Sequence, residues 1–248
     1  MGKKILVIVA SGKSSRFGGF PKAFCEMNKK TNAENTYEKA KKVYDKVYIG
    51  VNRTVYEKFK DKINGCEMFS IISGQGDAHS LLKCINYVKG LEGDIERISA
   101  CWGDAVFVDS TPFERLEEAA INTKIAVACA VDEQPYAWFE TTETSDIIKS
   151  HFLKEDGVVE SGLHDQSLFS FDCEFAITYL NKYREMLGIL QENDETVSDI
   201  NEMKLLKFFE YLYENGYTPA KCIEVLPDKV LSFNTVDELE IIKNKIQM

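Results

Sequence analysis

The stretch "KILVIVASGKSSRFGGFPK" (Lys4–Lys22) decides how this chain is read. Ile5 to Ala10 are apolar without alternation, as in a strand covered on both faces. A loop of small residues follows, and its Gly12-Lys13-Ser14 invites comparison with the phosphate loop of ATPases. That loop requires a second glycine five residues earlier, where this chain has Val7 in mid-strand. The dinucleotide fingerprint G-x-G-x-x-G fails at Ser14. What is left is a turn in which Gly12, Ser14, Ser15, Gly18 and Gly19 let backbone N–H groups approach an anion, with Arg16 and Lys22 adding two cations. A solvated basic turn has the same composition, and the loop alone does not choose between the two.

Further apolar runs follow at 45–52, 67–74, 97–104 and 124–131, separated by helical patterns. Strands alternating with helices predict an α/β fold: a Rossmann-like, mostly parallel sheet flanked by helices. Capping signals place helices at "TVYE" (Thr54–Glu57), "TPFE" (Thr111–Glu114) and "TVDE" (Thr235–Glu238). In the last helix Val236, Leu239, Ile242 and Ile246 form one apolar stripe. Residues 132–198 are more polar and rich in turns, which predicts a smaller antiparallel insertion within a single domain spanning 1–248. A long helix is expected in "DINEMKLLKFFEYLYENG", capped by Asp199 and closed by Gly216.

The chain has 248 residues, 44% hydrophobic and 28% charged, which is ordinary usage for a globular domain. Its formal net charge is −10 with no basic stripe, which argues against nucleic acid as a partner. An anionic substrate must therefore meet local cations or a metal. Seven scattered cysteines without a C-x-x-C pair read as free thiols of a reducing, cytoplasmic compartment. The N-terminal apolar run is too short for a signal or a membrane span, so no membrane partner is expected, while homo-oligomerisation stays open.

In "RISACWGDAVFVDSTPFE" (Arg97–Glu114) Asp104 stands just past an apolar strand, where a carboxylate suits Mg²⁺ shared with phosphate oxygens. Asp109 also fits a turn that starts the next helix. With these residues in hand, "VASGKSSRFGGFPK" resembles the signature loop of the nucleotidyltransferase superfamily, close to L-A-A-G-x-G-x-R-M followed by Pro-Lys. "CWGDAVFVD" resembles that family's Gly-Asp metal motif, "LSFNTVDELEII" its C-terminal stretch, and "GQGDAHSLLKCI" (Gly74–Ile85) stands where the family contacts the base. The departures are Ser14 for the second glycine, a gap from Arg16 to Pro21 one residue short, and Val236 for a proline.

The resemblance implies a cytidylyltransferase-like enzyme of the sugar-phosphate-activating kind, passing CMP from CTP to a small phosphorylated acceptor with release of pyrophosphate. It implies nucleotide contacts from Ala10, Ser11, Gly12, Lys13, Ser14, Ser15 and Gly103, base contacts from Gln75, Gly76 and Ser80, and phosphate contacts from catalytic Arg16 and Lys22. It implies Mg²⁺ on Asp104, with Asn234 as second ligand. Because the acceptor phosphate is already an anion, no general base is needed. Acceptor candidates are a sugar, polyol, choline or amino-acid phosphate such as phosphoglutamine, as capsule or surface polysaccharide pathways use. Tyr136, Trp138 and Glu140 alternate along one strand face, and they join His164 and Asp165 as acceptor-side residues, although Trp138 also suits the core. His79 fits a surface or a ligand role at a helix start, and His151 reads as surface. Two alternatives remain: a glycosyltransferase of related fold, which the missing D-x-D at Asp104 disfavours, and an inactive nucleotide-sensing subunit.

Overall fold

The computed structural model describes residues 3–12, 14, 17–72, 74–189 and 202–247. The chain runs β1 (Ile5–Ala10), a single 3-10 turn (Lys22–Phe24), β2 (Glu26–Met27), β3 (Lys30–Thr31), α1 (Asn32–Ala40), β4 (Lys46–Val51), α2 (Arg53–Phe59), β5 (Glu67–Ser70) and α3 (Asp77–Glu92). It continues through β6 (Arg97–Trp102), β7 (Ala105–Phe107), α4 (Thr111–Ala120), β8 (Ile125–Glu133), β9 (Ala137–Thr141), β10 (Ile147–Phe152), α5 (Leu153–Asp156) and β11 (Ser161–Asp172). The remaining elements are α6 (Cys173–Met186), α7 (Leu205–Glu214), β12 (Lys221–Glu224), β13 (Val230–Ser232) and α8 (Val236–Gln247).

The fold is α/β with a mostly parallel sheet, as expected. β5, β4, β1 and β6 lie side by side and parallel. β11 joins β6 antiparallel, β8 joins β11 antiparallel, and β12 joins β8 parallel. Because β4 pairs on one side of β1 and β6 on the other, the chain reverses direction across the sheet at β1. The carboxyl ends of β1 and β6 at such a reversal are the usual ligand position in open α/β sheets.

The unbroken apolar run of β1 now has its reason. Ile5, Val7 and Val9 pack into a core with Leu81, Cys84 and Val88 of α3. Leu6 and Ile8 face the opposite core, with Ala33 and Ala40 of α1 and Phe113 and Leu116 of α4. Each such aliphatic side chain, fully buried, contributes about 1.5–3 kcal/mol. A third, smaller cluster of Phe17, Met27, Val106, Phe233, Leu239 and Ile242 holds α8 against the loop after β1. The α8 stripe starts at Leu239 rather than Val236, which is exposed because it sits in the first turn before the helix reaches the body.

Several helix starts differ from the sequence expectation. α2 is capped by Asn52, whose side chain accepts from the Val55 N–H, so the chain turns two residues before Thr54. α4 follows Ser110, with Thr111 already helical beside Pro112. Asp199 lies outside the described residues, and α7 begins only at Leu205, with 202–204 non-helical. Its end is as expected: Gly216 takes φ +67, and the N–H groups of Gly216 and Tyr217 donate to the Tyr213 and Leu212 carbonyls. The Thr235–Glu238 capping box is present in both directions.

Residues 132–189 hold more than short polar strands. The β9–β10 hairpin is one part, but β11 is twelve residues long and belongs to the central sheet, and α6 follows it directly. No helix among the described residues is long and apolar enough to cross a membrane. The Asn52 cap yields a direct expectation. Asn52→Ala should lower unfolding free energy by about 1 kcal/mol in chemical denaturation, and Thr54→Ala by less than about 0.5 kcal/mol. Equal losses would restore Thr54 as the cap.

Candidate active site

Ala10 ends β1, and Ser11 behind it is buried, its carbonyl accepting from the Asn52 side chain at 3.3 Å. Gly12 is exposed, with open space where a Cβ would stand, so a ligand can approach the backbone closely. Ser14 occupies the position of the family's second glycine and takes φ +48 there. That left-handed backbone costs a side-chain-bearing residue about 1–2 kcal/mol. Its carbonyl accepts from Phe17 and Gly19 N–H groups at 2.9 and 3.0 Å, folding the loop back on itself. Lys13, Ser15 and Arg16 lie outside the described residues.

The loop runs on through Pro21 into the 3-10 turn that starts with Lys22. The Lys22 ammonium donates to Asp104 Oδ2 at 2.9 Å and to Asn234 Oδ1 at 3.0 Å. Three residues separated by 82 and 212 positions in sequence thus meet at one point. The ammonium also stands 5.9 Å from the centre of the Phe233 ring, and Phe233 meets Phe17 edge-on at 5.5 Å.

Pairing explains how Asn234 arrives there. β13 runs antiparallel to β7 with Ser232 opposite Ala105. Ser232, the last residue of β13, stands opposite Ala105, the residue after Asp104, and the chain beyond it carries Asn234 to the Lys22 ammonium. Gly103 is required by close approach: a Cβ there would lie 2.8 Å from the Ala10 Cβ and 3.0 Å from the Ala23 Cβ. Its N–H donates to the Val9 carbonyl at 3.0 Å. On the other side, Asn32 at the start of α1 donates to the carbonyls of Gly103 at 3.1 Å and Ala105 at 2.9 Å. Asp109 plays no part in this constellation. It accepts from the Thr111 N–H and pairs with Lys229, each at 2.9 Å, as a turn residue would.

The oxygen donors suit a hard cation. A carboxylate and an amide oxygen converge on one point, and Mg²⁺ commonly takes one or two carboxylates and completes its shell with water and substrate phosphate. Among the described residues no three His, Cys, Asp or Glu side chains cluster as an all-protein metal site. The cysteines are free thiols. Burial pushes Cys25, the one nearest Lys22, up to about 11 despite Lys243 and Lys22, so it is no nucleophile at neutral pH.

The loop expected at the base is held from behind. The Gln75 N–H donates to His79 Nδ1 at 3.2 Å, and His79 is buried rather than on the surface. Ser80 is also buried, its hydroxyl bonding the Gly74 N–H and the Gly76 carbonyl. Gly76 takes φ +100, and a Cβ would meet the Met203 carbonyl at 2.5 Å. The space beside Gly76 therefore belongs to the chain entering α7, and Asp77 caps that helix through the Leu205 N–H.

The acceptor-side residues fall into two groups. Trp138 stacks on His151 at 5.3 Å and lies across Gly162, so it fills the β9–β10–β11 surface; His151 is half-buried between Trp138, Glu140 and Asp156. Tyr136 and Glu140 are exposed. His164 Nδ1 bonds the Ala137 carbonyl at 2.7 Å, and Asp165 is buried with its carboxylate accepting from the Ser167 N–H. Leu168 pairs with Cys101, so 165–167 overhang the carboxyl end of β6, where the register against β8 shifts and Ser167 takes φ +55.

The fold is that of the nucleotidyltransferases. The family model described as the MobA-like NTP transferase domain matches residues 6–186, and the chain belongs to that family. Among solved structures it is similar to the nucleoside-diphosphate-sugar pyrophosphorylase of Vibrio cholerae RC9, at 15% identity and a TM-score of 0.70, covering 97% of this chain and 99% of that one. It is also similar to the 4-diphosphocytidyl-2C-methyl-D-erythritol synthase of Anaerococcus prevotii DSM 20548, at 13% identity and a TM-score of 0.65, covering 100% and 99%. No curated protein matches the sequence.

Asn32 and Asn52 were not singled out as site residues, although each left a trace. Thr31 and Glu34 form an overlooked capping box that sets Asn32 at the first position of α1, and Asn52 directly follows an apolar strand. Two glycines give the test of the local geometry. Gly103→Ala should destabilise by about 1–3 kcal/mol through overpacking, and Gly12→Ala by less than about 0.5 kcal/mol, measured by denaturant unfolding.

Proposed function

We propose that the chain transfers a nucleoside monophosphate, CMP from CTP by preference, to a small phosphorylated acceptor and releases pyrophosphate. The observation that carries this reading is the convergence of Lys22, Asp104 and Asn234 at the carboxyl edge of the sheet. The preference for CTP is supported by likeness to a synthase whose name is that of a cytidylyl product. The acceptor belongs against the overhanging segment of β11, with His164 and Asp165 closest to the β6 edge.

In the reaction an acceptor phosphate oxygen forms a bond to the α-phosphorus, and the bond from that phosphorus to the bridging oxygen of the β-phosphate breaks. The electron pair leaves with pyrophosphate, and no proton needs to move. Catalysis then consists of positioning and charge neutralisation. The open backbone at Gly12 receives phosphate oxygens, and the Lys22 ammonium, bonded to Asp104 and Asn234 in the free protein, pairs with the anionic charge when substrate binds. Asp104 and Asn234 would hold Mg²⁺, which supplies further positive charge at the phosphates.

The test is pyrophosphate release from each of four nucleoside triphosphates, with Mg²⁺ and a panel of sugar, polyol, choline and amino-acid phosphates. Release is expected with CTP and one acceptor class; silence in every combination defeats the proposal. Lys22→Ala should reduce kcat by about 10²-fold or more, in line with removal of a charge-stabilising group. Lys13→Ala should reduce it far less, and equal losses would remove Lys22 from its role.

A further inference from the structure

We infer that Asn32 is a positioning residue for this reaction, a clamp that sets the direction of the Asp104 carboxylate. The inference rests on Asp104 acting as the metal-holding acid of the proposed transfer. Asn32 is 2% exposed and opens α1, whose start is fixed by the reciprocal bonds of Thr31 and Glu34 and by the Asn32 N–H donating to the Cys25 carbonyl at 2.9 Å. From that anchor its side-chain amide reaches the carbonyl of Gly103 at 3.1 Å and the carbonyl of Ala105 at 2.9 Å. These carbonyls lie on either side of Asp104. Holding both toward one donor fixes the backbone at Asp104, and so fixes where its carboxylate points, toward the Lys22 ammonium that Asn234 also meets.

The orientation of the amide follows from its partners. Both are carbonyl oxygens, so the nitrogen must face them, and only an NH₂ group supplies two donors there. The cost falls on the other end: Asn32 Oδ1 is buried and has no hydrogen-bond partner. A buried acceptor without a donor works against stability. Both donors are committed to the two carbonyls that flank Asp104, and Oδ1 takes no part in holding them.

The experiment compares Asn32→Leu and the smaller Asn32→Ala with Asp104→Asn and with Asn35→Ala. Asn35 sits on the same helix and donates a comparable bond to the Met27 carbonyl at 3.1 Å, away from Asp104. The main readout is binding of Mn²⁺ alone, followed by electron paramagnetic resonance, with thermal melting and near-ultraviolet circular dichroism to confirm folding. Outer-shell partners of metal ligands typically contribute 10–100-fold, so the Asn32 variants should bind Mn²⁺ at least about tenfold more weakly. Their kcat should fall by a similar factor with little change in the KM for the triphosphate. Asn35→Ala should melt earlier yet bind Mn²⁺ as the wild type does. Folded Asn32 variants with wild-type Mn²⁺ affinity, beside an Asp104→Asn protein that has lost it, overturn the clamp alone. Undiminished binding by Asp104→Asn overturns the metal reading and the clamp with it.

Discussion

The contact of Gly103 with Ala10 and Ala23 governs the geometry of this molecule. Because the three backbones come closer than a Cβ at 103 would permit, the end of β6, the end of β1 and the 3-10 turn behind the loop are locked together. Each partner is joined to a segment of the candidate site. Ala10 leads into the loop, Ala23 follows Lys22, and Gly103 precedes Asp104. A packing constraint among three small residues thus brings a cation from one segment and a carboxylate from another to a separation of 2.9 Å. The third participant, Asn234, follows β13, which pairs with β7 as far as Ser232 opposite Ala105.

The electrostatics follow from that placement. In a chain of net charge −10, an anionic substrate meets a repulsive average field, so the local arrangement must reverse it. Lys22 is largely buried, its side chain 13% exposed, and Asp104 is more open at 31%. A partly buried ammonium needs oxygen partners in place of the water it has lost. Asp104 and Asn234 supply them, and one partner is neutral. A single carboxylate and an amide leave the cluster without surplus negative charge. Asp109 lies close in sequence but is bound to Lys229 and Thr111, so its charge is spent elsewhere.

The parts of the fold that follow from local pattern were legible in the sequence. Uninterrupted apolar runs announced β1, β4, β6 and β8, since burial on both faces leaves a mark at every position. Lys22, Asp104 and Asn234 were legible through the order of their motifs. Features created by one backbone approaching another left weaker traces or none. Ser14 looked like a departure from the family's glycine, yet it adopts the left-handed backbone a glycine would, and only the folded loop reveals this. His79 and Ser80 looked like candidates for ligand contact, but α3 turns both inward to hold Gly74 and Gln75. Gly76 makes room for Met203, a neighbour no local pattern announces. At α2 the capping pattern pointed to Thr54, and Asn52 took the position because β4 ends one residue before it.

The reversed strand shapes the carboxyl edge of the sheet beside β6. A parallel strand in the place of β11 would end level with β6 and leave the carboxyl edge open on that side. An antiparallel strand approaches from beyond the edge, so its first half has no partner on β6 and projects past Trp102. β8, nine residues long, follows it outward and keeps its backbone paired, while the β9–β10 hairpin attaches at Leu163 on the other side. The register shift at 165–168 lies at the crossing of the two regimes, where one strand belongs to both the sheet and its extension. Buried Asp165 and Gln166, with Ser167 at φ +55, are concentrated at that crossing. A wall built in this way is continuous with β6, the strand that leads to Asp104.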